Sequence, residues 1–210
     1  MTRKIQFILP VVLTLLVSCN SGTGKKEKAG LPETTARTKP VLQTEEALKF
    51  CEENDMNTDF CILVDMSVHS GKERLVVWDF KKKKIRRSAL VSHGCGNRVW
   101  SWDKTKTAPQ FSNTPGSHLS SLGKYAIAQR GWSNWGIHVK YWLDGLESSN
   151  SNARKRIIVL HGWEKIPDTE VYPKGTPEGW GCPAVSNDMM RYLDKKLKNA
   201  KKPVLFWIYH

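Results

Sequence analysis

Seven short runs rich in β-branched and aromatic residues, parted by turn residues rather than by helical patterns, constrain this chain more than any other feature. The first two, residues 60–66 and 74–80, flank Ser70-Gly71-Lys72, which is a hairpin signal. Lys81 to Lys84 form the next turn and lead into residues 85–92. Further strand-like runs cover residues 123–129, 137–143, 155–160 and 203–209. Only two segments read as helix. Thr44 followed by Glu45 and Glu46 suits an N-cap with acids in the first turn. Ser186 opens a second, with Asp188 in its first turn and Met189, Leu193 and Leu197 at four-residue spacing. The expected fold is therefore mainly β, a sandwich or barrel with one or two short helices. Parallel α/β is disfavoured because helical patterns do not alternate with the strands. An apolar content of 40% with nine tryptophans supplies the core.

The amino terminus has a different purpose. Arg3 and Lys4 precede an apolar stretch over residues 5–17, about 20 Å of helix, too short for a bilayer core of roughly 30 Å. A basic start, a short apolar run and small residues at its end describe an export signal over residues 1–18. Leu16-Val17-Ser18-Cys19 resembles the lipobox of bacterial lipoproteins, which implies cleavage before Cys19 and a lipid on its thiol. Residues 19–43, rich in Lys, Thr, Gly, Ser and Pro, read as a flexible stalk, and the folded domain is expected over residues 44–210. The expected location is exported, periplasmic and membrane-anchored.

With Cys19 assigned to lipid, Cys51, Cys61, Cys95 and Cys182 remain. Cys51 and Cys61 bracket a short polar loop, so a disulfide and two buried thiols are both open. Cys182 sits in Gly179-Trp180-Gly181-Cys182-Pro183, directly ahead of the Ser186 helix. Glycines on both sides of Trp180 let the backbone approach a substrate, and amides of such a turn can converge on an oxyanion. Upstream, an apolar run ends in His161-Gly162, a rigid place to fix an imidazole beside a loop thiol. A thiol near its ordinary pKa is only slightly ionised at neutral pH, so a neighbouring base matters.

His161-Gly162, sixteen intervening residues and Gly179-Trp180-Gly181-Cys182 together resemble the catalytic motif of the L,D-transpeptidase (YkuD-like) family. Its murein L,D-transpeptidase branch is also similar at Phe111-Ser112-Asn113-Thr114-Pro115-Gly116-Ser117, Ser120-Ser121-Leu122-Gly123-Lys124-Tyr125, Leu143-Asp144-Gly145 and Asn152-Ala153-Arg154. The resemblance implies a cofactor-free, metal-free mainly-β catalytic domain that acts on peptidoglycan stem peptides. In it Cys182 forms a thioester, His161 takes the thiol proton, and the Gly162 carbonyl orients the imidazole. An amine acceptor then gives a 3–3 cross-link, and water gives carboxypeptidase action. Gly179 stands where the family motif has Ser or Thr.

Ser92-His93-Gly94-Cys95 matches the short signature literally, yet His69 upstream is followed by Ser70 rather than glycine, so Cys182 is preferred over Cys95. His138, expected on a strand, and Ser120 and Ser121 are candidates to line the donor site. Trp132, Trp135, Trp142 and Trp163 are either a substrate-facing wall or core. The formal charge of +13 and the basic turn at residues 81–87 call for anionic surroundings. An export signal excludes nucleic acid as the partner, and no second histidine or cysteine stands at zinc spacing from His161. Two functions compete: a lipid-anchored, monomeric cysteine transpeptidase, and a non-catalytic wall-binding lipoprotein of the same fold.

Overall fold

The structure, a computed structural model, describes residues 39–97 and 109–210. The expected export signal, Cys19 and most of the expected stalk lie outside the described residues. The chain runs α1 (Lys39–Glu53), β1 (Phe60–Asp65), β2 (Leu75–Asp79), β3 (Lys84–Ala89), β4 (Gly123–Trp132), β5 (Val139–Gly145), β6 (Val159–Gly162), β7 (Ala184–Val185), α2 (Asn187–Leu197) and β8 (Val204–Tyr209). The mainly-β expectation holds.

All eight strands form one sheet in the order β3-β2-β1-β8-β4-β5-β6-β7. Pairs β1–β8 and β6–β7 are parallel and the others antiparallel. The two ends of this order approach each other beyond β3, where Ser92 N–H donates to the Ala184 carbonyl at 2.9 Å. Gly94 and Gly179 also form a bridge there, so the sheet is nearly closed and barrel-like.

Strand β8 shows why the sheet holds together. Val204, Phe206 and Ile208 point into the main core with Ile62, Val64, Tyr125 and the α2 residues Met189, Met190 and Leu193. Leu205 and Trp207, on the alternate face, pack with Ala47 and Cys51 of α1 and with Cys61 and Leu63 of β1. Period-two alternation thus buries both faces of a central strand, which accounts for its unbroken apolar sequence.

Of the two helices, one starts where its sequence signal lies and the other does not. Ser186 is the N-cap of α2, its hydroxyl accepting from Met189 N–H as its position suggested. Helix α1 instead starts at Lys39, ahead of Thr44 and within the stretch read as stalk. Pro40 falls in the first turn, where a missing N–H costs no helical bond, so the proline begins the helix. The strand expected from residue 155 begins only at Val159. Residues 151–157 are turns, and Ile157 has φ +56° in the left-handed region, which no strand contains.

Candidate active site

Strand β6 carries His161 with its side chain opposite to the core, because Ile158 and Leu160 are the inward residues. Strand β7 runs parallel beside it, with His161 opposite Ala184 and Gly162 opposite Val185. The loop just before β7 is therefore drawn along β6. Val159 N–H reaches Cys182 Sγ at 3.4 Å, and the thiol donates to the Ile157 carbonyl at 3.4 Å. Cys182 and His161 face one cavity of about 230 Å³, walled by Trp135, Trp163, Trp180 and Gly179.

Two buried serines hold the loop that bears Cys182. Ser92 Oγ accepts from Ala184 N–H at 3.0 Å and donates to the Cys182 carbonyl at 3.3 Å. Ser120 Oγ accepts from Gly94 N–H at 3.1 Å and donates to the Gly181 carbonyl at 3.3 Å. Gly179 exchanges backbone bonds with the same turn, its N–H donating to His93 and its carbonyl accepting from Cys95, both at 2.9 Å. Gly181 has φ +96°, and a Cβ there would lie 2.5 Å from the Leu119 carbonyl, so only glycine fits. At Gly179 a Cβ meets nothing nearer than the Cys182 carbonyl at 3.9 Å. Glycine is required at one of these positions and not at the other.

His161 Nδ1 lies 2.9 Å from the Gly162 carbonyl. A carbonyl only accepts, so Nδ1 carries the proton of the neutral ring and Nε2 keeps its lone pair. Burial lowers the His161 pKa from the usual 6.5, against the opposing pull of the Gly162 carbonyl and Glu164. Burial raises the Cys182 thiol above its usual 9.0, with the Val159 amide, Arg156 and Lys140 pulling the other way. Both directions favour the uncharged forms of a thiol and an imidazole that face one cavity. Such an arrangement suits proton transfer during nucleophilic attack rather than a preformed ion pair.

The remaining site expectations divide. Cys95 is 2% exposed and donates to the Gly96 carbonyl at 3.5 Å. His69 is occupied elsewhere, accepting from Gly71 N–H at 3.0 Å and packing edge-on to Tyr172. Ser92-His93-Gly94-Cys95 therefore supports the loop that bears Cys182. Cys51 and Cys61 are buried free thiols. Ser120 and Ser121 are 1% and 2% exposed and do not line the cavity, because their hydroxyls are turned to backbone carbonyls. His138 precedes β5 rather than lying on a strand. Its φ of +60° turns the ring outward to stack on exposed Trp132 at 4.6 Å. Trp135 and Trp163 do form a cavity wall, while Trp132 and Trp142 are not part of it.

Arg156 escaped the sequence reading. It donates through Nη1 to the Ser112 carbonyl at 2.8 Å and to Ser121 Oγ, and through Nη2 to the Leu119 carbonyl. One guanidinium thereby gathers the segment on which Gly181 rests. Its position five residues ahead of a histidine carries no signal that sequence alone makes visible.

A mainly-β sheet thus presents a histidine on one strand and a cysteine on the adjoining loop, both facing one cavity. The family model of the L,D-transpeptidase catalytic domain (YkuD_2) matches residues 34–208, and the chain belongs to this family. No curated protein matches it. Among solved structures, the chain is similar to an L,D-transpeptidase from Xylanimonas cellulosilytica. Identity is 15%, with 80% of this chain and 69% of that one covered and a TM-score of 0.40. It is also similar to the helical cell shape determining protein Pgp2 from Campylobacter jejuni, at 14% identity and a TM-score of 0.43. Coverage there is 80% of this chain but 56% of the other, so this chain spans little more than half of that protein.

Proposed function

We propose that the protein is a cysteine L,D-transpeptidase of the cell wall, acting on peptidoglycan stem peptides. The observation that carries this reading is the shared cavity of Cys182 and His161, with the imidazole pinned by the Gly162 carbonyl. Cys182 Sγ attacks the carbonyl of the L,D peptide bond while His161 Nε2 takes the thiol proton. That proton passes to the departing D-amino acid, and a thioester remains. Backbone amides of Gly181 and Cys182 are the donors proposed for the developing oxyanion, since Gly179 N–H is bonded to the His93 carbonyl and Pro183 has none. An acceptor amine then attacks the thioester to give a 3–3 cross-link, or water releases a shortened stem. No cofactor is needed for either step.

Cleavage at Cys19 and a lipid anchor on its thiol would place the domain, as a monomer, in the periplasm beside its polymer. This part of the proposal rests on the sequence of residues 1–19. Gly179 in place of a hydroxyl residue, and a thiol whose proton rests on the Ile157 carbonyl, favour the second reading of a wall-binding lipoprotein without turnover.

The two separate in one experiment. The protein is incubated with isolated tetrapeptide muropeptides, and products are resolved by liquid chromatography and mass spectrometry. Loss of D-Ala with dimer or tripeptide formation, abolished in Cys182→Ala, supports the enzyme. Retention of muropeptides without any product supports the binding protein.

A further inference from the structure

Lys140, His161 and Ala184 form a row across three strands, since Lys140 is opposite His161 in the β5–β6 pairing and His161 opposite Ala184 in β6–β7. Directly opposed residues share a face, with Cβ atoms about 5 Å apart. That face is the outer one, because Val139, Tyr141 and Leu143 are the core residues of β5. A lysine is therefore the immediate cross-strand neighbour of the imidazole.

Two cations influence the thiol, Arg156 and Lys140. Arg156 is committed to the protein, its two terminal nitrogens shared among Ser112, Ser117, Ser121 and Leu119. Lys140 is not. Its stem lies across Gly131, with Cε 3.5 Å from where a Cβ would stand, and its ammonium sits 5.1 Å from the centre of the Trp142 ring. Among the described residues no carboxylate pairs with it. The carboxylates nearby are engaged, Asp144 by Arg154 and Glu164 by the Gly136 amide at 3.3 Å. The neighbouring cavity is walled chiefly by tryptophans, and no lysine or arginine is among its lining residues.

We propose that the Lys140 ammonium receives the terminal carboxylate of the peptide that acylates Cys182, so that carboxylate-ended donors are preferred to amidated ones. This rests on the acyl-transfer reading of the same site and adds to it the group that selects the donor end. A half-exposed ammonium on the same outer face as His161, one strand away, attracts an anion and leaves neutral reagents unaffected.

The test compares alkylation of Cys182 by iodoacetate, an anion, with that by iodoacetamide, its neutral near-isostere. Both displace iodide from the same carbon. The full chain is used at low ionic strength, and the Cys182 peptide is followed by mass spectrometry in wild type, Lys140→Gln, Lys140→Arg and Lys82→Gln. The iodoacetate-to-iodoacetamide rate ratio is expected to fall ~5-fold in Lys140→Gln and to stay within about twofold in Lys140→Arg and in the remote Lys82→Gln. In parallel, KM for a donor ending in D-Ala is expected to rise in Lys140→Gln while that for the D-Ala amide stays constant. An unchanged ratio in Lys140→Gln, with iodoacetamide reacting normally, overturns the proposal. Because alkylation needs no turnover, a Lys140-dependent ratio in a protein that processes no muropeptide would defeat the enzymatic reading alone. Turnover with an unchanged ratio would defeat this inference alone.

Discussion

The carbonyl oxygen of Gly162 lies 2.9 Å from Nδ1 of His161, and Gly136 packs directly behind that carbonyl. A Cβ on Gly136 would stand 2.5 Å from both the carbon and the oxygen of the Gly162 carbonyl. The orientation of the imidazole thus depends on a glycine outside the motif.

Gly136→Ala is expected to move the Gly162 carbonyl and turn the ring. Residue 136 also has φ +60°, so alanine adds about 1–2 kcal/mol of backbone strain. Acylation of Cys182 should fall ~100-fold, since such chemistry tolerates little misplacement, while the protein remains folded. Adduct kinetics beside urea unfolding check this, and a variant acylating at the wild-type rate would contradict it.

Gly179→Ser is expected to be harmless or favourable. Nothing crowds a side chain there, so stability should change by less than about 0.5 kcal/mol. The departure from the family motif then concerns rate alone. Acylation slowed tenfold or more in a folded Gly179→Ser protein would show that the glycine is needed.

Ile157 has φ +56° although its side chain is 59% exposed. A β-branched residue is strained in that region, where asparagine is tolerated. Ile157→Asn is expected to raise unfolding stability by about 1 kcal/mol, with the thiol still held on the residue 157 carbonyl. A destabilised variant would mean that the isoleucine side chain contributes more than its exposure indicates.

The pH dependence follows from the two directions of shift. In the proposed mechanism His161 must be unprotonated to act as base, and burial holds its pKa below 6.5, so the acid limb of acylation should have its midpoint below pH 6.5. The same shift means that the unfolded chain takes up the proton first, so His161 costs stability as pH falls through 6.5. The Cys182 thiol is raised, so its alkylation by iodoacetamide should climb through a midpoint above pH 9.0. A midpoint near neutrality would instead reveal a thiolate–imidazolium pair.

Much of this was legible from residue type and spacing. Alternation made the strands visible, and Ser186 with Asp188 marked the start of α2, because a cap is a local interaction. The Cys182–His161 pair was visible only through its motif; the parallel β6–β7 pairing that unites them spans the intervening loop. What escaped notice has long-range causes. Ser92 and Ser120 hold the loop from distant segments. Arg156 acts through carbonyls whose positions no pattern encodes. His138 lies off the expected strand because it has a left-handed φ, which at a non-glycine residue leaves no mark in hydrophobic periodicity.

The most direct measurement is the intact mass of the protein after exposure to a carbapenem, whose strained ring opens on an activated thiol and leaves the whole drug attached. Wild type and Cys95→Ala are expected to gain one drug mass, and Cys182→Ala none. An adduct lost only in Cys95→Ala, or none on folded and reduced wild type, would contradict the assignment of Cys182 as the nucleophile.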